Sequence, residues 1–161
     1  MAPFYTPALL LNGDRILVQV VRDTGGQIFN MKLDGTDAHP FTQPGEGMPY
    51  GLSLSPEGNR VAFHLATSEG YQVFTANPYG EERKRLAAHP DHLYFGTGWA
   101  PDGQWVVYQD CLFKQDNGHD WADLCISRPD GSENRVLTQG QALWFGATYG
   151  SPARKGGGSN M

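Results

Sequence analysis

No apolar run in the 161 residues approaches the ~20 positions that a membrane-crossing helix requires. The stretch Ala8 to Leu11 is also too short for the core of a signal peptide. The start, Met1-Ala2-Pro3-Phe4-Tyr5, lacks the basic residues that precede such a core. The chain is therefore expected to be cytoplasmic, or a mature or truncated piece of an exported protein. Basic charge is scarce, with 12 Lys and Arg against 17 Asp and Glu and a net charge of -5. Phosphate-backbone binding needs clustered Lys and Arg to release counterions. The densest basic run, Arg83-Lys84-Arg85, directly follows Glu81 and Glu82, so no nucleic-acid partner is expected. No stretch sustains a 3.6-residue apolar period, which excludes a helical domain. The chain holds no G-x-S-x-G elbow. Gly156-Gly157-Gly158 lacks the Lys-Ser/Thr of a phosphate loop. The Asp-Gly pairs lack the alternating acidic residues and closing Glu of a calcium loop. No cofactor and no metal are expected.

What is abundant points to strands and turns. The chain has 21 Gly, 11 Pro and 19 aromatic residues (8 Phe, 7 Tyr, 4 Trp), and 39% of it is hydrophobic. Strands joined by tight turns use this mixture. A repeat organises it. Gly13, Gly58 and Gly103 are spaced 45 and 45, in Leu11-Asn12-Gly13, Pro56-Glu57-Gly58 and Pro101-Asp102-Gly103. A second set, Gly35, Gly80 and Gly131, is spaced 45 and 51. The extra six residues fall between Cys111 and Trp121. A third marker is an aromatic before Gly51, Gly96 and Gly146. Each unit reads as four short strands; in the second they are about Tyr50–Leu54, Asn59–Ala66, Tyr71–Asn77 and Glu82–Ala87. Four strands in ~40–50 residues is the period of a propeller blade.

The expected fold is all-β: a partial β-propeller of about three and a half four-stranded antiparallel blades, part of a six- to eight-bladed ring. The units run approximately 5–45, 46–90 and 91–140, with the start of a fourth at 141–161. A stack this short exposes apolar faces at both ends. Either further blades or self-association would complete it.

The turns Ser55-Pro56-Glu57-Gly58 and Ala100-Pro101-Asp102-Gly103 resemble the S-P-D-G signature of TolB-like propellers, also called WD40-like PD40 repeats. Arg128-Pro129-Asp130-Gly131-Ser132 followed by Arg135-Val136-Leu137-Thr138 fits the same pattern. The resemblance covers nearly the whole chain, but the N-terminal α/β domain of TolB is absent from it. It implies a binding platform for protein or glycan ligands rather than an enzyme. Related propellers include oligogalacturonate lyases, so a polysaccharide lyase acting on acidic oligosaccharides is the alternative.

Propeller ligands sit at the axial funnel, where inner strands begin. Here those segments precede Gly51, Gly96 and Gly146. His89 and His92 lie there and are candidates to grip a metal or an anionic sugar. For a lyase, His89, His92 and Tyr94 are the candidate bases, with Arg154 a candidate carboxylate partner. Tyr50, Tyr94 and Trp144 are candidates for an aromatic ligand wall, or else core fillers; Phe95 and Phe145 fit core filling better. His39, His64 and His119 fall elsewhere in their units. The insertion carries Phe113, His119 and Trp121 and forms either a partner-contacting loop or a tolerated surface insertion. Cys111 and Cys125 flank it. Their register places them near-opposite on paired strands, as a disulfide of an oxidising compartment or as two buried free thiols.

Overall fold

The structure is a computed structural model, and it describes residues 4–10, 13–22, 25–112 and 121–138. Twelve strands and no helix are found among them. The first sheet holds β1 (Phe4–Leu10), β2 (Arg15–Arg22), β3 (Gly25–Lys32) and β4 (His39–Pro40). The second holds β5 (Met48–Leu54), β6 (Val61–Thr67), β7 (Gly70–Ala76) and β8 (Lys84–His89). The third holds β9 (His92–Trp99), β10 (Val106–Leu112), β11 (Trp121–Ser127) and β12 (Asn134–Val136). Each sheet is an antiparallel meander in chain order. The chain is therefore a partial propeller with three described blades. Residues 139–161, which include the start of the expected fourth unit, and 113–120, the expected insertion, lie outside the described residues.

The repeated glycines close the turns as their spacing implies. Gly58 and Gly103 take φ of 74° and 67°, in the left-handed region that glycine occupies without Cβ strain. In the later turns the Asp serves the backbone. Asp34 Oδ1 accepts from the Thr36 amide, and Asp130 Oδ1 from the Ser132 amide, each at 2.9 Å.

Neighbouring blades bury their faces against one another. Leu17, Ile28 and Phe41 of the first pack on Val61, Phe63, Leu65 and Ala76 of the second. Ala62, Val73 and Leu86 of the second pack with Trp99, Val106, Tyr108 and Cys125 of the third. Strand β6 thus sends alternate side chains into two different cores, and Val61 to Leu65 are all buried. Fully burying one such large apolar side chain contributes about 1.5–3 kcal/mol, against about 0–1 kcal/mol for a surface ion pair. Inter-blade packing, not the scattered ion pairs, therefore holds the stack.

Hydrogen bonds between blades repeat in the same register. Asn30 Nδ2 donates to the Pro78 carbonyl at 2.7 Å, and 45 residues later Thr75 Oγ1 donates to that of Pro129 at 2.5 Å. Arg83 donates to the Phe41 carbonyl at 2.7 Å, and Asn134 to that of Leu86 at 3.1 Å. Their acceptors are also 45 residues apart. One repeated contact needs glycine: a Cβ at Gly80 would sit 2.0 Å from the Phe41 carbonyl oxygen.

The cysteine geometry corrects the expectation. Cys111 pairs with Ala122, whereas Cys125 pairs with Tyr108. Positions 108 and 111 differ by an odd number, so the two side chains stand on opposite faces of the sheet. Both are buried free cysteines. Burial pushes the thiols up, to about 11 for Cys111 and about 12 for Cys125.

Candidate functional site

The inner strands β5 and β9 each carry one extra residue. Between Tyr50↔His64 and Ser53↔Ala62, strand β5 advances three positions while β6 advances two. Strand β9 does the same between Phe95↔Gln109 and Gly98↔Val107. A bulge of this kind uses a glycine in the left-handed region, and Gly51 and Gly96 have φ of 59° and 52°. The bulges turn the preceding aromatics outward, leaving Tyr50 44% and Phe95 41% exposed.

Between these two strands opens a cleft of about 340 Å³. Tyr50 and Gly51 line one side, Phe95 and Gly96 the other, and His64, Tyr71 and Tyr94 complete the lining. No lining residue carries a full charge at neutral pH. His64, on β6, is 1% exposed. Burial pushes its imidazole down to about 4, so the ring is neutral near pH 7. Its Nε2 is buried and has no hydrogen-bond partner among the described residues. The opposite edge of the ring faces Gly51, where a Cβ would lie 2.9 Å from Nδ1.

A second cluster lies where β8 ends and β9 begins. The rings of His89 and His92 lie against each other with centroids 3.8 Å apart and planes tilted by 32°. His92 Nδ1 lies 2.7 Å from Asp110 Oδ1. Burial raises the Asp110 carboxyl above its ordinary range, against the opposing pull of His92. The ring of His92 is 6.5 Å from that of Tyr94, which joins this cluster to the cleft. Among the described residues no group of three or more His, Cys, Asp or Glu side chains is placed to hold a metal.

The structure therefore brings His89 and His92 together and places Tyr50 on the cleft. It reverses the expectation for the aromatic pair on β9. Tyr94 is 4% exposed and packs edge-on against Tyr108 at 5.8 Å, whereas Phe95 is the exposed one. The bulge at Gly96 is the physical reason. Burial also raises the Tyr94 phenol well above its ordinary range, so it is not an ionisable base at neutral pH. Trp144, Phe145, His119 and Arg154 lie outside the described residues. Sequence reasoning passed over two residues, His64 and Asp110. For His64 a signal existed: it falls in a column with Gln19 and Gln109, 45 residues to either side, so each blade has a polar residue at this strand position.

No known family profile matches the chain, and no curated protein matches it in sequence. Solved structures do match. A TolB-type protein of Agrobacterium tumefaciens superposes with a TM-score of 0.64 at 18% identity, covering 86% of this chain and 50% of its own. TolB from Acinetobacter baumannii gives 0.59 at 20% identity, over 85% of this chain and 33% of its own. Oligogalacturonate lyase from Vibrio parahaemolyticus gives 0.60 at 14% identity, over 86% and 40%. The chain spans half or less of the length of these structures. At such identities the likeness establishes architecture alone, a β-propeller fold like that of TolB.

Proposed function

We propose that this chain is a non-catalytic binding module, a TolB-like propeller scaffold that takes a protein or glycan ligand on its axial face. The observation that carries the reading is the repeated projection of Tyr50 and Phe95 from the bulges of adjacent inner strands, at one 45-residue interval. Large aromatics exposed side by side around an uncharged cleft suit stacking contacts with a ligand. Further blades, or a second copy, would cover the open ends of the stack. Peptide and glycan arrays probed with the full chain test the reading. Binding to one class, lost in a Tyr50→Ala, Phe95→Ala double variant, is expected; no binding to either class would refute it.

The alternative, an oligogalacturonate-lyase-like enzyme, draws on the His92–Asp110 pair. A carboxylate holding one imidazole nitrogen is the arrangement of a general base. In a uronide eliminase such a base removes the proton α to the carboxylate, a carbon–carbon double bond forms, and the glycosidic oxygen leaves with the bond pair. Acidic oligosaccharides incubated with the chain would then gain unsaturated-uronate absorbance, and Asp110→Asn would lower it. A flat trace, with and without added divalent cations, rules this reading out.

A further inference from the structure

Both internal junctions of the stack are made by the same polar relay. In the first blade Arg15 Nε donates to Asn30 Oδ1 at 2.6 Å, and Asn30 Nδ2 donates to the Pro78 carbonyl of the second. In the second blade Arg60 donates to Thr75 Oγ1 at 2.9 Å, and Thr75 donates to the Pro129 carbonyl of the third. A second tie runs the other way, from Arg83 and Asn134 back to the carbonyls of Phe41 and Leu86. A glycine of the later blade, Gly80 or Gly131, fits against a carbonyl of the earlier one.

The outer faces of the first and third blades depart from this relay together. Ile126 pairs with Val107 as Asn30 pairs with Leu17 and Thr75 with Ala62. On the third blade Trp105 and Ile126 thus stand where the relay has Arg and Asn or Thr. On the first blade Leu33 takes the place of Pro78 and Pro129, and Ala38 that of Arg83 and Asn134. Leu33 is 59% exposed. Leu137 donates its amide to the Leu124 carbonyl as Phe41 does to that of Ile28, yet it is 51% exposed where Phe41 is buried. Gly35 keeps a left-handed φ of 82°, with nothing within 4 Å of its Cβ position.

A face left to water has no reason to give up its polar residues. Here both sides of one junction exchange them for apolar ones, as a buried contact favours. Ile126 stands in the donor's place and Leu33 in the acceptor's. The second blade separates these two residues, so they meet only between copies. Charge at the rim agrees. Arg15 lies over Tyr79 across the first junction; at the outer junction Arg15 is replaced by Trp105, with Arg128 4.0 Å above its ring, and Tyr79 by Asp34. We infer that the far face of the third blade docks head to tail on the free face of the first blade of a second copy. Two such junctions join two copies, with three described blades each, into a closed ring of six. This rests on the scaffold reading, in which a second copy covers the open ends, and is independent of the ligand that scaffold takes.

The test is sedimentation velocity of the full chain across a concentration series, with a dimer expected at a Kd on the order of 10 µM and nothing larger. Leu33→Lys and Leu137→Glu fall at positions more than half exposed, so each should keep the wild-type far-ultraviolet circular dichroism. Each should weaken dimerisation roughly thirtyfold or more, the factor for one lost buried leucine. An equal mixture of the two variants has one native junction and one that sets Lys beside Glu. It should therefore recover dimers that neither variant forms alone, which a dimer built on one self-complementary patch does not do. A wild type that stays monomeric at ten times that concentration overturns the inference. So do assemblies that keep growing with concentration, single variants that associate as the wild type does, or a mixture without recovery. A variant that loses its β-sheet dichroism would place its leucine in the core and overturn the docking face. A monomer whose melting temperature falls with Leu137→Glu would show residues 139–161 to be the occupant instead. An array without binding refutes the ligand-binding reading and leaves the mass measurement as it stands.

Discussion

Replacing His64 by Gln should remove most of the acid sensitivity of the fold between pH 7 and pH 5. The imidazole is held near pKa 4 against an ordinary 6.5, and desolvation is the cause. A histidine whose folded pKa is depressed folds in its neutral form. The unfolded chain takes up a proton below pH 6.5 and the native chain does so only near pH 4, so stability rises with pH across that window. The contribution is complete above about pH 7 and is lost as pH falls from 6.5 toward 4. With those two values, linkage gives a loss of about 2 kcal/mol between pH 7 and pH 5, and about 3 kcal/mol by pH 4. Glutamine does not titrate, and the repeat carries it at the equivalent positions 19 and 109. Urea unfolding followed by far-ultraviolet circular dichroism at pH 7 and pH 5 is the assay. Subtracting the variant's pH-dependent change from the wild type's cancels the other titrating groups. The residual should be about 2 kcal/mol, or roughly 1 M in the urea midpoint. At pH 7 the variant should be at least as stable as the wild type, because a buried unpaired nitrogen is gone. Parallel losses in the two proteins would refute the argument, since they would mean that His64 is solvated or paired in the folded state.

Three other outcomes follow from packing. Gly80→Ala should cost roughly 3 kcal/mol, the sum of left-handed strain and overpacking against the Phe41 carbonyl. Gly35→Ala, with a similar φ of 82° but open space around it, should cost only about 1 kcal/mol; equal losses in thermal melts would deny a tight inter-blade contact at position 80. Cys111 and Cys125 should resist a thiol reagent at pH 8 in the native state, react fully in denaturant, and show no shift in melting temperature with reductant; a reductant-dependent melt would reveal a disulfide. Tyr50→Ala and Phe95→Ala should each change stability by no more than about 1 kcal/mol, because both residues leave over two-fifths of their surface in water. A collapse of the melt in either would move that ring into the core.

Much of the architecture was legible in the chain because turn chemistry is local. Gly58 and Gly103 close turns that need positive φ, and Pro and Asp prepare them within a few residues, so a 45-residue spacing of turns could be read as blades without knowing any contact. The strand assignments of the second unit were close for the same reason. The site was less legible. Tyr94 and Phe95 are adjacent aromatics before a glycine, and alternation alone does not say which one faces the core. A bulge, set by how β9 pairs with β10, decides it. Cys111 and Cys125 looked like neighbours because both fall at apolar positions of their repeats. One residue of register, visible only in the paired strands, puts them on opposite faces.

By itself the sequence determined the repeat, the all-β class and the places where the chain must turn, because these depend on backbone conformations that individual residues permit or forbid. Only the tertiary structure decided that His64 is buried, uncharged and, among the described residues, without a hydrogen-bond partner at Nε2. That condition is made by the third blade closing over the second, and dehydration of a ring by strands 30 residues further along the chain leaves no mark in the local pattern.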